Sequence, residues 1–153
     1  MSDRPVGDLV RARRALLGLS QRALSQSSGV AQPLISAIES GRRPATEASA
    51  AALLAALPLR PSVALERRRA AVAAAVRKHG GRDAAVFGSV AHGTDAPGSD
   101  LDLMVAFEDG RDIVDLLALQ SDLEELLTVP VDVVSAGSSG AVADRARGES
   151  VAL

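Results

Sequence analysis

The sequence predicts a two-domain protein: an all-α bundle of short helices over residues 1–60, then a small α/β fold with a short mixed sheet over residues 61–153. Apolar residues recur with helical periodicity as far as residue 79, and beyond Gly81 short apolar runs alternate with amphipathic stretches. Charge changes sign at the same place. Residues 1–80 carry 13 basic and 5 acidic side chains, residues 81–153 carry 4 and 14, and the whole chain is only −2. Pro58 and Pro61 flank a short stiff segment between the two parts. A basic part suits a phosphate backbone, and an acidic part suits metal ions or a basic partner.

Each element has a local reason. Leu9, Leu16, Leu17 and Leu19 mark a first helix of about 10 residues ending near Gly18. Ser20 is an N-cap for a second helix, Gln21 to Ser27, and Ser28-Gly29-Val30 makes a tight turn. A third helix runs from Gln32 to Ser40 with Ile35 and Ile38 inward, and Gly41 ends it. Thr46 caps a fourth helix through Leu57, and Ser62 caps a long helix from Val63 to His79. Ala84-Ala85-Val86-Phe87 is a short buried strand, Leu101 to Phe107 a second, and Val131 to Ser135 a third that Pro130 opens. Residues 112–127 form an amphipathic helix, and Ser139 to Arg147 a last short one.

Composition removes several function classes. Cysteine is absent, which excludes disulfides, thiolate metal sites and a cysteine nucleophile. Phe87 and Phe107 are the only aromatic residues and read as core, so base recognition by aromatic stacking is not expected. No apolar run approaches the roughly 20 residues of a membrane span. Met1-Ser2-Asp3-Arg4-Pro5 leads into a charged helix, unlike the apolar core of a signal peptide. A soluble cytoplasmic protein with no membrane partner is expected. His79 reads as a cation at a helix C-terminus, Arg67 to Arg69 as a solvated face, and Asp95, Glu108 and Asp109 as solvated loop charges.

Two helices joined by a short glycine-containing turn are the helix-turn-helix pattern, in which one helix braces across the DNA backbone and the next enters the major groove. Gln21 starts the bracing helix, placed to meet a phosphate. Gln32 and Ser36 lie on the exposed face of the second, where Gln can bond bidentately to adenine. Arg42 and Arg43 follow that helix and are placed for phosphate contact. Leu19-Ser20-Gln21, Gly29-Val30, Ile35-Ser36, Ile38-Glu39 and Gly41-Arg42 resemble the Cro/repressor-type helix-turn-helix family over about residues 6–57. The resemblance implies a DNA-binding domain over residues 1–60, acting as a homodimer on operator DNA. Pro33 and Leu34 stand where that family usually has polar residues, which removes hydrogen-bonding capacity at the groove-facing start.

In the second part, Asp100 and Asp102 stand two apart at the head of a strand, so both carboxylates point to one face. Such a pair repels itself unless a cation neutralises it, and hard oxygen ligands select Mg²⁺. Gly88-Ser89 follows a strand, where a turn offers N–H groups and a hydroxyl to phosphate oxygens. Asp132 is a third carboxylate on a neighbouring strand, and three can hold two Mg²⁺ roughly 3.5–4 Å apart. Gly88-Ser89, ten residues, then Asp100-Leu101-Asp102 resembles the minimal nucleotidyltransferases of the polymerase-beta-type superfamily over about residues 65–153. The resemblance implies a minimal nucleotidyltransferase domain over residues 61–153, with two Mg²⁺ and ATP as substrate. It implies that Gly88 and Ser89 bind the triphosphate, that Asp100 and Asp102 hold both metals, and that Asp132 holds the catalytic metal and helps deprotonate the acceptor. Gly93 matches the glycine closing the turn, and His92 stands where the family commonly has Arg, a stronger phosphate partner.

Stand-alone domains of this kind resemble antitoxins paired with a small all-α ribonuclease of the HEPN type. That resemblance implies AMPylation: transfer of AMP from ATP to the toxin, with autorepression of the operon through the helix-turn-helix. The alternative is a transcriptional repressor whose transferase-like domain is inactive and binds a nucleotide or a partner.

Overall fold

The computed structural model describes residues 4–153, so Met1 to Asp3 of the expected charged N-terminus lie outside the described residues. The chain divides between Leu59 and Arg60 into two compact units.

Among the described residues the first unit holds four helices, α1 (Val6–Leu16), α2 (Gln21–Ser28), α3 (Gln32–Glu39) and α4 (Glu47–Ala55). Helices of 8 to 11 residues are too short to stand alone in water. Burial holds them instead: Val10, Leu24, Ile35, Ile38, Leu53 and Leu57 form one core, and each such side chain contributes about 1.5–3 kcal/mol when fully buried. Ser20 accepts from the Ala23 N–H at 3.0 Å and starts α2, and Gly29, with φ +73°, turns the chain into α3. Thr46 accepts from the Ser49 N–H at 3.2 Å and starts α4. Gly7 lets α1 approach α3 closely, since a Cβ there would strike the Ile38 carbonyl.

The second unit runs α5 (Pro61–Lys78), β1 (Gly81–Phe87), α6 (Gly88–Ala91), β2 (Leu101–Phe107), α7 (Ile113–Leu127), β3 (Val131–Ser135), α8 (Ala141–Glu149) and β4 (Val151–Ala152). The sheet order is β3-β2-β1-β4, with β2 and β3 parallel and the other pairs antiparallel, so the sheet is mixed as expected. Leu101, Leu103 and Val105 of β2 are buried with Leu119, Leu123 and Leu127 of α7. The alternation of β2 and β3 sends Asp102 and Asp132 to the other face. Side chains of α7 cover the free edge of β3: Gln120 and Glu124 accept from the Val133 and Val131 N–H groups at 3.3 and 3.4 Å. Among the described residues no helix is long and apolar enough to cross a membrane.

Four expectations are corrected. Helix α5 begins at Pro61, whose missing N–H suits the first helical position, and Ser62 lies inside the helix instead of capping it. Asp95 is not a solvated loop charge: it is 4 % exposed, and it accepts from Arg60 Nη2 at 2.8 Å and the Ser62 N–H at 2.9 Å. Strand β1 starts at Gly81, three residues before the apolar run, because Gly81 already pairs with Phe107, and the exposed Arg82 and Asp83 lie in an irregularity before the Ala84–Val105 pair. Helix α8 is shifted two residues toward the C-terminus of the expected span.

Candidate functional site

The site is built where β1 ends. Phe87 pairs with Asp102 across β1 and β2, and Asp102 pairs with Asp132 across β2 and β3. Parallel register therefore places the two carboxylates side by side on one face. Gly88 follows Phe87 with φ +65°, and a Cβ there would collide with Asp102 Oδ2, so only glycine lets the turn sit against that carboxylate. Asp100 stands just before β2, fixed by the Leu101 N–H donating to the Pro130 carbonyl at 2.9 Å. A cleft of about 530 Å³ opens here, lined by Phe87, Gly88, Ser89, Asp100, Asp102, Ala141, Val142 and Arg145.

The electrostatics match that geometry. Burial pushes the half-buried Asp102 carboxyl above its ordinary range, the charges of Asp132 and Asp100 push the same way, and Arg145 opposes them. Two like charges thus act on Asp102, and among the described residues no salt bridge is made to it. Asp132 is exposed and does not line the cleft, and among the described residues no three acidic or imidazole groups already stand in a ligating cluster. The donor set still fits a hard divalent ion. Mg²⁺ keeps waters and shares phosphate oxygens, so it needs one or two carboxylates and not a closed protein cage. The glycine cradle and an acid whose charge is destabilised are what such an ion would relieve.

Other expected site residues fall as follows. Ser89 lines the cleft with Gly88, and its carbonyl accepts from the Thr94 N–H at 2.9 Å, closing the turn. Gly93, at φ +69°, helps that closure but does not line the cleft. His92 is also outside the lining: its Nδ1 donates to the Gly88 carbonyl at 2.7 Å and its Nε2 faces Glu149 at 4.0 Å. His79 ends α5, with Nε2 2.8 Å from Asp122, whose carboxyl is held low by His79 and Lys78. Sequence reasoning missed Arg145, although it is one of only four basic residues after Gly81 and that rarity was the available signal.

In the helical unit, Gln32 Nε2 donates to Gln21 Oε1 at 2.9 Å, and Gln21 Nε2 donates to Glu39 Oε2 at 2.9 Å. The Gln21 amide is therefore occupied within the fold, where an open phosphate contact was expected. Glu39 is 5 % exposed and takes Arg14 Nε at 2.7 Å and Nη2 at 2.8 Å. Burial raises the Glu39 pKa, but Arg14 and Gln21 outweigh it and hold the carboxyl below its ordinary value. Arg42 bonds Ser36 Oγ at 3.3 Å and Ser40 Oγ at 2.9 Å, and Arg43 is exposed beside it.

Comparison with known proteins places both units. Residues 76–149 match the family described as polymerase beta, nucleotidyltransferase, and residues 10–63 match the helix-turn-helix family. A relative from Methanocaldococcus jannaschii, named a protein adenylyltransferase, is 41 % identical over 61 residues, which is 40 % of this chain. The match spans 66 % of that relative's length, just short of two thirds. A solved structure of a minimal nucleotidyltransferase is 42 % identical with a TM-score of 0.53, covering 60 % of this chain and 95 % of that one. A chain from a toxin–antitoxin structure with AMP-PNP is 24 % identical with a TM-score of 0.48, over 53 % of this chain and 68 % of that one.

Proposed function

This chain belongs to the polymerase-beta-type nucleotidyltransferases, in a form joined to a helix-turn-helix domain, and from that premise we propose that it is a DNA-binding antitoxin that AMPylates a partner toxin. The donor is ATP, the acceptor is a hydroxyl of a HEPN-type ribonuclease, and the helix-turn-helix binds the operator as a homodimer and represses it. The observation that carries the transferase half is the register pairing of Asp102 with Asp132 beside the Gly88-Ser89 turn. A cytoplasmic location fits both activities.

Gly88 and Ser89 receive the triphosphate, with backbone and hydroxyl facing its oxygens. Asp100, Asp102 and Asp132 would hold Mg²⁺, which when bound neutralises phosphate charge and stabilises the attacking and leaving oxygens. Asp132, exposed at the edge of the acidic wall, takes the proton from the acceptor hydroxyl. The acceptor oxygen bonds to the α-phosphorus as the bond to the β-phosphate oxygen breaks, and pyrophosphate leaves. In the helical unit, Gln32 and Ser36 face base edges, while Arg42 and Arg43 face phosphates. Gln21 holds Gln32 in place from the bracing helix.

A repressor with an inactive transferase-like domain is favoured by one observation: among the described residues no three acidic or imidazole groups stand in a ready ligating cluster. Incubation with labelled ATP, Mg²⁺ and a HEPN-type ribonuclease separates the two. Label on the ribonuclease that Asp100→Asn abolishes supports the transferase. Equal protection against the toxin by wild type and Asp100→Asn supports the inactive domain.

A further inference from the structure

We propose that Arg145 is the cation that grips the phosphates leaving as pyrophosphate, an inference that rests on the nucleotidyltransferase function above. A cleft whose floor carries Asp100 and Asp102 repels a nucleoside triphosphate unless a positive group lines another wall. After Gly81 the chain has four basic residues. Arg111 is bound to Asp115 at 3.2 Å. Arg147 is occupied by Asp144 and by the carbonyls of Ala136 and Ser138, both at 3.1 Å. Arg82 is exposed near the start of β1, at the opposite end of that strand from the Gly88-Ser89 turn. Only Arg145 of the four lines the cleft, alongside Gly88 and Ser89.

Its guanidinium is engaged through Nε and is largely exposed. Nε rests on both oxygens of Glu149 at 3.4 Å, one helical turn on, and the side chain is 71 % exposed. A planar fork with free N–H groups, opposite acids and beside a phosphate turn, matches the bidentate geometry of phosphate oxygens. His92 does not line the cleft, and its Nδ1 is committed to the Gly88 carbonyl. Helix α8 packs on α6 and β2, which sets Arg145 on the turn side of the cleft. The acidic wall is left for the α-phosphorus and the acceptor, so Arg145 meets the far end of the chain.

Calorimetric binding of ATP, AMP and inorganic pyrophosphate to the full chain in Mg²⁺ tests this, with Arg145→Ala, Arg145→Lys and wild type. Arg145→Ala should weaken ATP and pyrophosphate by about tenfold to a hundredfold, as for a lost charge-assisted bond. AMP affinity and the melting temperature should stay unchanged, and Arg145→Lys should recover part of the loss. Unchanged ATP binding in Arg145→Ala, or an equal loss for ATP and AMP, overturns the inference while leaving the transferase reading intact. A wild-type chain that binds neither ATP nor pyrophosphate overturns both.

Discussion

Glu39 in the helical unit and Asp102 in the sheet unit are both withdrawn from water, yet their titration moves in opposite directions. Glu39 is 5 % exposed and its pKa is lowered, because Arg14 and Gln21 meet both oxygens. Asp102 is half-buried and its pKa is raised, because burial and two like charges act on it and outweigh the opposing charge of Arg145. Asp95 behaves like Glu39: burial opposes its charge, and bonds from Ser62 and Arg60 outweigh that and hold it low. The difference separates acids that hold a fold from an acid that no protein cation neutralises among the described residues. A paired carboxylate stabilises the structure at neutral pH, and an unpaired one opposes it until something positive arrives.

The largest expected effect breaks the second half of that contrast. Asp102→Asn should lower AMP transfer by about a thousandfold, since metal-ion charge stabilisation is worth several kcal/mol. Single-turnover rates with labelled ATP measure it. Next, Glu39→Ala should cost the helical unit about 3 kcal/mol, because it leaves Arg14 half-buried without its partner. Urea unfolding followed by circular dichroism reads that loss. The pH dependence has a defined sign. The stability from Glu39 is fully present above its unfolded pKa and is lost as pH falls through its lowered folded value. Asp102 does the reverse: its unfavourable charge is relieved as pH falls through its raised value.

Two smaller effects sharpen the comparison. Arg42→Ala with Arg43→Ala should weaken DNA binding about equally for all sequences and reduce the salt slope by about 2, measured by anisotropy over a salt series. An unchanged slope would remove both from the phosphate contacts. Asp102→Asn should raise the melting temperature of the metal-free protein by about 2 °C at neutral pH and leave it unchanged at acidic pH, where wild type is already neutral at that position.

Much of this was legible in the sequence, and the exceptions share a cause. The strands Leu101–Phe107 and Val131–Ser135 and the caps Ser20 and Thr46 were readable because apolar alternation and capping act within a few residues. The Gly88-Ser89 turn and Asp100-Leu101-Asp102 were readable as a spacing. What escaped depends on distant partners. Asp95 is paired with a residue 35 positions away, and Gln21 with Glu39, 18 away. Arg145 reaches the cleft only through the fold of α8. Strand β4 is two residues long and exists because β1 has an open edge to pair with. The side-by-side placement of Asp102 and Asp132 likewise follows from parallel register, which no local pattern sets.

The central claim is that the unpaired acids form a divalent-ion site for a nucleotide, and ATP binding with and without Mg²⁺ in wild type and Asp102→Asn tests it most directly. The account predicts Mg²⁺-dependent ATP binding by wild type that Asp102→Asn loses. ATP binding of equal strength in both proteins, or binding indifferent to Mg²⁺, would contradict it.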